Sequence, residues 1–140
     1  MYRIQNVNSG LYLQIEGGSA VNGANIQQWG TDGTSVHDIW VLKSAGDGYY
    51  YIASAVDQNF VLDVAGKKAD NGTNIDLYQL NSGTNQQFML TLNDDGSYKI
   101  RTRVSGEASA VEVINGETAS GANVQEWEVN GANCQDWNLI

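Results

Sequence analysis

The sequence repeats one pattern three times, and this repetition limits the folds that are open to the chain. Four landmarks of the pattern recur at intervals of 48 or 49 residues. They are an aromatic strand opening (Tyr2, Tyr50, Tyr98), an apolar–polar–apolar triplet (13–15, 62–64, 111–113), a glycine motif that ends on an aromatic ring (23–29, 72–78, 121–127) and a closing aromatic ring (Trp40, Phe88, Trp137). We therefore expect one domain, 1–140, built from repeats of about 47 residues that approximately cover 1–47, 48–95 and 96–140.

Each copy reads as β-structure. Apolar and polar residues alternate in short runs, β-branched and aromatic residues are frequent, and Gly, Asn, Asp and Ser separate the runs. The segment 93–97, NDDGS, is predicted to be a hairpin turn; a calcium loop is the alternative for its two Asp residues, although no ligand spacing follows them. No apolar pattern keeps a helical period, so helix content should be small. Since one copy cannot bury its apolar face alone, three copies should close around a shared core, with Trp40, Phe88 and Trp137 inside it.

The charge and the polar composition favour a neutral ligand. The formal net charge is −9, from 7 Lys and Arg residues against 16 Asp and Glu residues. A chain of this charge repels phosphate groups, which argues against nucleic acid as a partner. No apolar run approaches the roughly 20 residues that a membrane-spanning helix needs, so a membrane partner is not expected. Uncharged Asn, Gln, Ser, Thr and Gly supply much of the polarity, and such groups bind sugar hydroxyls without requiring a charge.

The single cysteine, Cys134, excludes an internal disulfide framework. A small, half-buried residue beside Trp137 is the simpler interpretation of Cys134, and a reactive thiol is the alternative. Residues 1–7 already read as a strand and do not resemble a signal peptide. We therefore expect an extracellular module of a larger protein, with any export signal elsewhere in that protein.

Recurrent polar and aromatic residues mark candidate binding positions. Neighbouring side chains of a strand point to opposite faces, so the middle residue of each triplet is predicted to face outward. These residues are Gln14, Asp63 and Glu112. A carboxylate at this position accepts hydrogen bonds through two oxygens and can grip adjacent sugar hydroxyls. An aromatic ring that can lie against the C–H face of a pyranose follows 15 residues later, at Trp29, Tyr78 and Trp127, although packing is the alternative role for these rings.

The repeat motif resembles the ricin B-type lectins and carbohydrate-binding module family 13 over the whole chain. The motif reads GANIQQW, GTNIDLY and GANVQEW, and the segments 86–88 and 135–137 then read Gln-x-aromatic. The resemblance implies an all-β fold, the β-trefoil, in which three repeats with pseudo-three-fold symmetry form a six-stranded barrel capped by three hairpins, with twelve strands in all. It also implies that Gln86 and Gln135 hydrogen-bond backbone within the motif. Asn25, Asn74 and Asn123 are predicted to form turns.

The resemblance also implies a sugar pocket in each repeat. Each pocket combines the middle residue of the triplet, the ring that ends the glycine motif, a polar residue three positions later and an Asn just before the closing Gln. The second repeat matches best, with Asp63, Tyr78, Asn81 and Asn85. The third repeat supplies Glu112, Trp127, Asn130 and Asn133, although Cys134 occupies the matching place and Glu112 is longer than the usual Asp. The first repeat supplies Gln14, Trp29, Asp32 and His37, and the replacement of the acid by Gln14 and of the closing Gln by Asp38 puts this pocket in doubt.

The predicted function is reversible sugar binding without catalysis, cofactor or metal. The expected partners are galactose-type, arabinose-containing or xylose-containing plant polysaccharides: galactan, arabinogalactan or xylan. The chain is expected to be monomeric and to hold an attached glycoside hydrolase against its substrate. Each shallow pocket should have a Kd on the order of 1 mM, and simultaneous use of several pockets should raise avidity by about 10²-fold.

Two other classes of function remain as alternatives. A glycoside hydrolase needs two carboxyl groups about 5–10 Å apart, whereas Asp63 and Glu112 belong to different repeats. His37 and Cys134 are each the only residue of their type and lie in no nucleophile–base motif. A protein-binding β-trefoil, such as a protease inhibitor, would need a distinctive contact loop rather than a repeated acid and aromatic pair. No loop of that kind stands out in the sequence.

Overall fold

The computed structural model describes residues 1–140 and contains twelve β-strands and no α-helix. The strands are β1 (Ile4–Asn6), β2 (Tyr12–Ile15), β3 (Ala24–Trp29), β4 (Trp40–Gly46), β5 (Tyr49–Ser54), β6 (Phe60–Val64), β7 (Ile75–Gln79), β8 (Phe88–Leu92), β9 (Tyr98–Thr102), β10 (Ser109–Val113), β11 (Val124–Glu128) and β12 (Trp137–Leu139). Four single turns of 3₁₀-helix lie at Ala65–Lys67, Thr84–Gln86, Ile114–Gly116 and Asn133–Gln135. The predicted all-β fold with little helix is confirmed.

Six of the strands close into a barrel. The strands β1, β12, β9, β8, β5 and β4 pair in that order, all antiparallel, and the bridge between Tyr2 and Trp40 joins β4 back to the start of the chain. The predicted turn at 93–97 connects β8 to β9, and Leu92 pairs with Tyr98 across it. Closure of the ring leaves no unpaired edge strand in the barrel.

The other six strands form three hairpins, β2–β3, β6–β7 and β10–β11, one in each repeat. The hairpins meet one another around the pseudo-three-fold axis. At each junction a glycine N–H donates to a backbone carbonyl of another repeat at 2.8 Å: Gly23 to Leu77, Gly72 to Glu126 and Gly121 to Gln28. The barrel capped by three hairpins is the β-trefoil that the repeat motif predicts.

One apolar core fills the barrel and the space under the hairpins. It contains 17 buried residues, drawn from all three repeats. The three closing rings, Trp40, Phe88 and Trp137, are fully buried, as predicted. The indole N–H of Trp40 donates to the Leu13 carbonyl at 3.0 Å, and that of Trp137 donates to the Val111 carbonyl at 2.9 Å. Each indole therefore ties the barrel to the hairpin of its own repeat.

The asparagines of the glycine motifs do not serve as turn formers, so this prediction is wrong. Asn25, Asn74 and Asn123 instead meet at the three-fold axis and form a closed ring of amides. Asn25 Nδ2 donates to Asn123 Oδ1 at 2.8 Å, Asn123 Nδ2 to Asn74 Oδ1 at 2.7 Å, and Asn74 Nδ2 to Asn25 Oδ1 at 2.9 Å. Each side chain therefore gives one hydrogen bond and receives one, and the ring links all three repeats.

No helix in the structure has the length and apolar character that a membrane-spanning helix requires.

Candidate functional site

Three shallow depressions lie at equivalent places, one in each repeat. The four residues predicted for each repeat line the same depression in every case: Asp63, Tyr78, Asn81 and Asn85 in the second, Glu112, Trp127, Asn130 and Asn133 in the third, and Gln14, Trp29, Asp32 and His37 in the first. The volumes are about 480 Å³ in the third repeat, 370 Å³ in the first and 280 Å³ in the second. The structure therefore brings each predicted set together, and contact with a ligand stays a prediction.

The floor of each depression is the middle residue of the triplet. Gln14, Asp63 and Glu112 point away from the apolar core, as the strand alternation predicts, but they are 8%, 4% and 5% exposed. The expectation that they face open solvent is wrong. The neighbouring strand of the hairpin and the closing segment of the same repeat cover these side chains and satisfy most of their polar atoms.

In two repeats the closing glutamine holds the floor carboxylate. Gln86 Nε2 donates to Asp63 Oδ2 at 3.0 Å and to the Gln79 carbonyl at 3.0 Å, and its Oε1 accepts from the Asn81 N–H. Gln135 makes the same three contacts, with Glu112 Oε1, the Glu128 carbonyl and the Asn130 N–H. The predicted backbone contacts are confirmed, and each glutamine also orients the acid, which the sequence interpretation missed.

The first repeat lacks this arrangement because Asp38 replaces the glutamine. The Asp38 carboxylate has no N–H to donate, and it accepts instead from Arg3 Nε at 3.1 Å. Asp38 is 1% exposed, and its one side-chain partner is the part-buried Arg3 guanidinium. The floor of the first depression is an amide, Gln14, and the Asp38 carboxylate beside it is bonded to Arg3.

A second residue in each hairpin contacts the floor residue from the facing strand. Gln27 Nε2 donates to Gln14 Oε1 at 2.9 Å, and Gln125 Nε2 donates to Glu112 Oε2 at 2.9 Å. In the second repeat the facing residue is Asp76, which pairs with Asp63 in the strand register. The sequence interpretation did not include these three residues, although they stand two positions before the aromatic ring of each glycine motif.

The aromatic rings form one wall of each depression and are partly open to solvent. Trp29 is 47% exposed and Tyr78 41% exposed, while Trp127 is half-buried. The rings also pack against another repeat: Trp29 lies over Gly121, and Trp127 lies beside Gly72. A side chain at Gly121 would meet Trp29, because a Cβ built there lies 3.3 Å from Trp29 Cζ3. Backbone of the third repeat therefore supports the wall of the first site.

We expect Gly121→Ala and Gly23→Ala to separate this contact from backbone strain. The two glycines have nearly equal φ, +86° and +83°, and a Cβ at Gly23 meets nothing within 4 Å. Each variant should lose about 1–2 kcal/mol of unfolding free energy in urea denaturation, because alanine is strained at positive φ. Only Gly121→Ala should also shift the Trp29 indole N–H resonance. An equal shift in both variants would contradict the packing role of Gly121.

The polar residues three positions after the rings shape the loops at the rim. Asp32 Oδ1 accepts from the N–H groups of Thr34 and Ser35, at 2.8 and 2.9 Å. These bonds hold the pKa of Asp32 well below its usual range. Asn81 Oδ1 and Asn130 Oδ1 accept one such N–H each, at 2.9 Å. Their amide NH₂ groups have no partner within the protein, so Asn81 and Asn130 keep a donor for a ligand whereas Asp32 has none.

The residue before the closing segment differs in every repeat. Asn85 Nδ2 donates to Asp63 Oδ2 at 3.1 Å, and its own Oδ1 is buried without a partner. Cys134 takes this place in the third repeat, with its Sγ 3.9 Å from Glu112 Oε1. Burial, followed by the Glu112 charge, raises the pKa of the Cys134 thiol. This disfavours the reactive thiolate, and Asn133 lies exposed at the rim beside it.

Lys67 distinguishes the second depression from the other two. The equivalent residues are Gly18 and Gly116, and all three have positive φ. The Lys67 side chain reaches towards Gly83, and its Cε lies 3.2 Å from a Cβ built at that glycine. This side chain lines the second depression, the smallest of the three, and adds a positive charge close to Asp63.

These groups could hydrogen-bond the hydroxyls of a neutral polyhydroxylated molecule and stack against its apolar face. Each depression offers an amide or carboxylate floor, a partly exposed aromatic wall and a polar rim. No group of three or more His, Cys, Asp or Glu side chains is placed together so that it could hold a metal ion.

The fold and the three equivalent depressions define a β-trefoil domain of the lectin type. The family model of the ricin-type beta-trefoil lectin domain-like proteins matches residues 1–78, 58–124 and 84–140. The chain belongs to this family. Domains of the family bind carbohydrate in general and are generally non-catalytic.

Several solved structures share the fold. A designed three-fold symmetric protein, ThreeFoil, is 34% identical with a TM-score of 0.93, over 99% of this chain and 96% of that one. The exo-beta-1,3-galactanase 1,3Gal43A from Clostridium thermocellum is 34% identical with a TM-score of 0.92, over 99% of this chain but only 29% of the enzyme. The C-terminal half of an earthworm R-type lectin, solved with GalNAc, is 19% identical with a TM-score of 0.79, over 99% and 95% of the two chains, which shows the fold alone. No curated protein matches the sequence.

Proposed function

We propose that this domain binds galactose-type sugars of a plant polysaccharide through its second and third depressions. The observation that carries the proposal is the repeated combination of a held carboxylate, an aromatic wall and a rim amide in those two repeats. A carboxylate held by glutamine keeps its orientation before the ligand arrives, which lowers the entropic cost of binding. Xylose and arabinose units are the competing ligands.

Galactose fits this combination because its axial 4-hydroxyl and its 3-hydroxyl lie on one edge of the ring. Both can donate to a single carboxylate, while the opposite C–H face lies against an aromatic ring. The 34% identity to part of an exo-beta-1,3-galactanase supports the same sugar class. So does the GalNAc complex of the earthworm lectin, although only the fold is shared with that protein.

We further propose that the domain works as part of an extracellular, larger protein and holds an attached glycoside hydrolase against polysaccharide. The match to 29% of the galactanase supports this organisation. Weak individual sites suit such a role, because two sites on one branched chain raise avidity while each unit still exchanges quickly.

Isothermal titration with galactose, xylose and arabinose tests the proposal. We expect saturable binding of galactose with a Kd on the order of 1 mM. Asp63→Ala and Glu112→Ala should each remove one site, because each deletes the floor of one depression. Asp94→Ala, which removes an exposed acid outside the depressions, should leave the stoichiometry unchanged.

The alternatives give different results in the same set of experiments. Binding of no sugar, including branched oligosaccharides, would overturn the proposal, and capture of a protein partner that survives Asp63→Ala and Glu112→Ala would favour a protein-binding trefoil. Hydrolysis of chromogenic glycosides by the purified chain would contradict a purely binding role.

A further inference from the structure

In the second repeat, both the floor residue of the depression and the residue that faces it across the hairpin carry a carboxyl group. At these two positions the first repeat has no carboxyl group and the third repeat has one. Asp63 on β6 and Asp76 on β7 face each other across the hairpin and lie within hydrogen-bonding reach. Asp76 Oδ1 is buried and finds no N–H or O–H donor in the protein. The pair has no buried cation between its members, so it cannot carry two full negative charges without strong repulsion.

The equivalent pairs of the other repeats show what the position requires. Gln27 donates an amide N–H to Gln14, and Gln125 donates one to Glu112. In each case the facing side chain supplies a proton to the floor residue and fixes its orientation. Asp76 can supply the equivalent proton only as a carboxylic acid.

The other contacts of Asp63 leave its Oδ1 open for a proton donated by Asp76. Its Oδ2 already accepts from Asn85 Nδ2 and Gln86 Nε2, at 3.1 and 3.0 Å. No hydrogen bond from a side-chain or backbone N–H reaches its Oδ1. A proton on Asp76 would therefore complete the same set of contacts that Gln125 and Gln135 provide around Glu112 in the third repeat.

We infer that Asp76 is a positioning residue which holds Asp63 in its binding orientation through one shared proton, so that only the second site depends on protonation. This inference rests on the proposed sugar binding. Above the titration range of the pair both carboxylates ionise, repel each other, and Asp63 leaves the position from which it meets the ligand.

The charges around the pair agree with this assignment. Burial, with the neighbouring Asp63 carboxyl, raises the pKa of Asp76 to about 7. Burial also raises the pKa of Asp63, and Lys67, on the turn after β6, partly opposes that rise. The facing residue of β3 is Asn25, and the 3₁₀-turn Thr84–Gln86 contributes only amides and a hydroxyl, so no other titratable group faces the pair from these elements.

The direction of the pH dependence follows from which state binds. If only the singly protonated pair binds sugar, the apparent Kd equals the intrinsic Kd divided by the fraction of that state. With a pKa near 7, this fraction falls by about 30-fold between pH 6 and pH 8.5. Galactose affinity at the second site should fall by about this factor over the interval, and affinity at the third site should stay constant.

Carboxyl-selective NMR tests the pair without any ligand. In protein carrying ¹³Cγ-labelled Asp, we expect one carboxyl of the second repeat to titrate near pH 7 and this transition to disappear in Asp76→Asn. The control Asp94→Asn removes an exposed acid and should leave the transition unchanged. Titration of both Asp63 and Asp76 near pH 4 would overturn the inference whether or not a sugar binds.

Galactose titrations followed by backbone amide shifts then test the consequence, with residues near Tyr78 and Trp127 reporting the two sites separately. Asp76→Asn keeps an amide donor towards Asp63, so its affinity at the second site should be the same at pH 6 and pH 8.5. A wild-type second site whose affinity does not vary with pH, or an Asp76→Asn site that keeps the wild-type profile, would overturn the positioning role. If one carboxyl titrates near pH 7 but galactose changes no amide chemical shift at any pH, the proposed function and the positioning role are both overturned. The shared proton between Asp63 and Asp76 in the unliganded protein would still be supported.

Discussion

Replacing one asparagine of the central amide ring with alanine is expected to lower the free energy of unfolding by about 2–3 kcal/mol. Asn74→Ala removes two of the three hydrogen bonds of the ring and leaves a donor on Asn123 and an acceptor on Asn25 without partners. A net hydrogen bond contributes about 1 kcal/mol, and an unsatisfied half-buried group costs further stability. Urea denaturation measures the loss, and Asn71→Ala, which removes one exposed contact to the Glu128 N–H, is the matched control.

The ring also predicts how such losses combine. The first substitution breaks two bonds, the second breaks the one that remains, and the third breaks none. The triple variant should therefore lose much less than three times the single loss, which is a strong departure from additivity. Strictly additive losses would contradict a closed ring and would indicate that each asparagine acts alone.

Glu126→Gln is expected to stabilise the protein by about 1–3 kcal/mol at pH 8, because it replaces a buried oxygen that has no hydrogen-bond partner with an N–H donor. Glu126 is fully buried; its Oε1 accepts from Thr102 Oγ1 at 2.5 Å, and its Oε2 has no partner. The equivalent residue of the first repeat is Gln28, whose Nε2 donates to the carbonyls of Glu117 and Ala119 at 3.0 Å each. The 49-residue register places the carbonyls of Lys68 and Asp70 in the corresponding position.

The gain should depend on pH in a defined direction. Burial, with a further contribution from the Asp70 charge, raises the pKa of Glu126 above its unfolded value. Below its unfolded pKa, such an acid is protonated in both states and does not lower the free energy of unfolding. As the pH rises from there through its folded pKa, the free energy of unfolding falls. Denaturation midpoints of the wild type and Glu126→Gln should therefore lie closest together at low pH and diverge towards pH 8.

The control for this variant is Glu128→Gln, which changes the net charge by the same amount at an exposed position on the same strand. Equal stabilisation by Glu126→Gln and Glu128→Gln would mean that relief of the overall negative charge, and not the buried oxygen, explains the effect.

The sequence is sufficient to predict the trefoil because the same sequence pattern occurs three times. A chance match of one motif is possible, but the closing rings and glycine motifs keep their spacing in all copies, and the buried Trp40 and Trp137 follow from that register. Strand alternation also places Asp63 and Glu112 on the side away from the core. It does not reveal that other segments cover that side, since coverage depends on residues 13 and 23 positions later in the chain.

The contacts that involve three repeats at once lie beyond such a pattern. Asn25 and Asn123 are 98 residues apart, and nothing local distinguishes an amide that forms a turn from one that meets two others at an axis. The sequence alone is enough to single out Asp76, because the equivalent position holds glutamine, Gln27 and Gln125, in the other two repeats. Its role depends on Asp63, which the strand register places opposite to it.

The three glycine junctions between hairpins have a consequence for how this molecule meets copies of itself. Each repeat presents a donor to one neighbouring repeat and an acceptor to the other, which is a heterologous, head-to-tail contact. Contacts of this kind generate open filaments unless the rotation between units closes the series. Here the rotation closes after three units within a single chain, so every junction donor and acceptor is used internally and none is left to recruit another molecule.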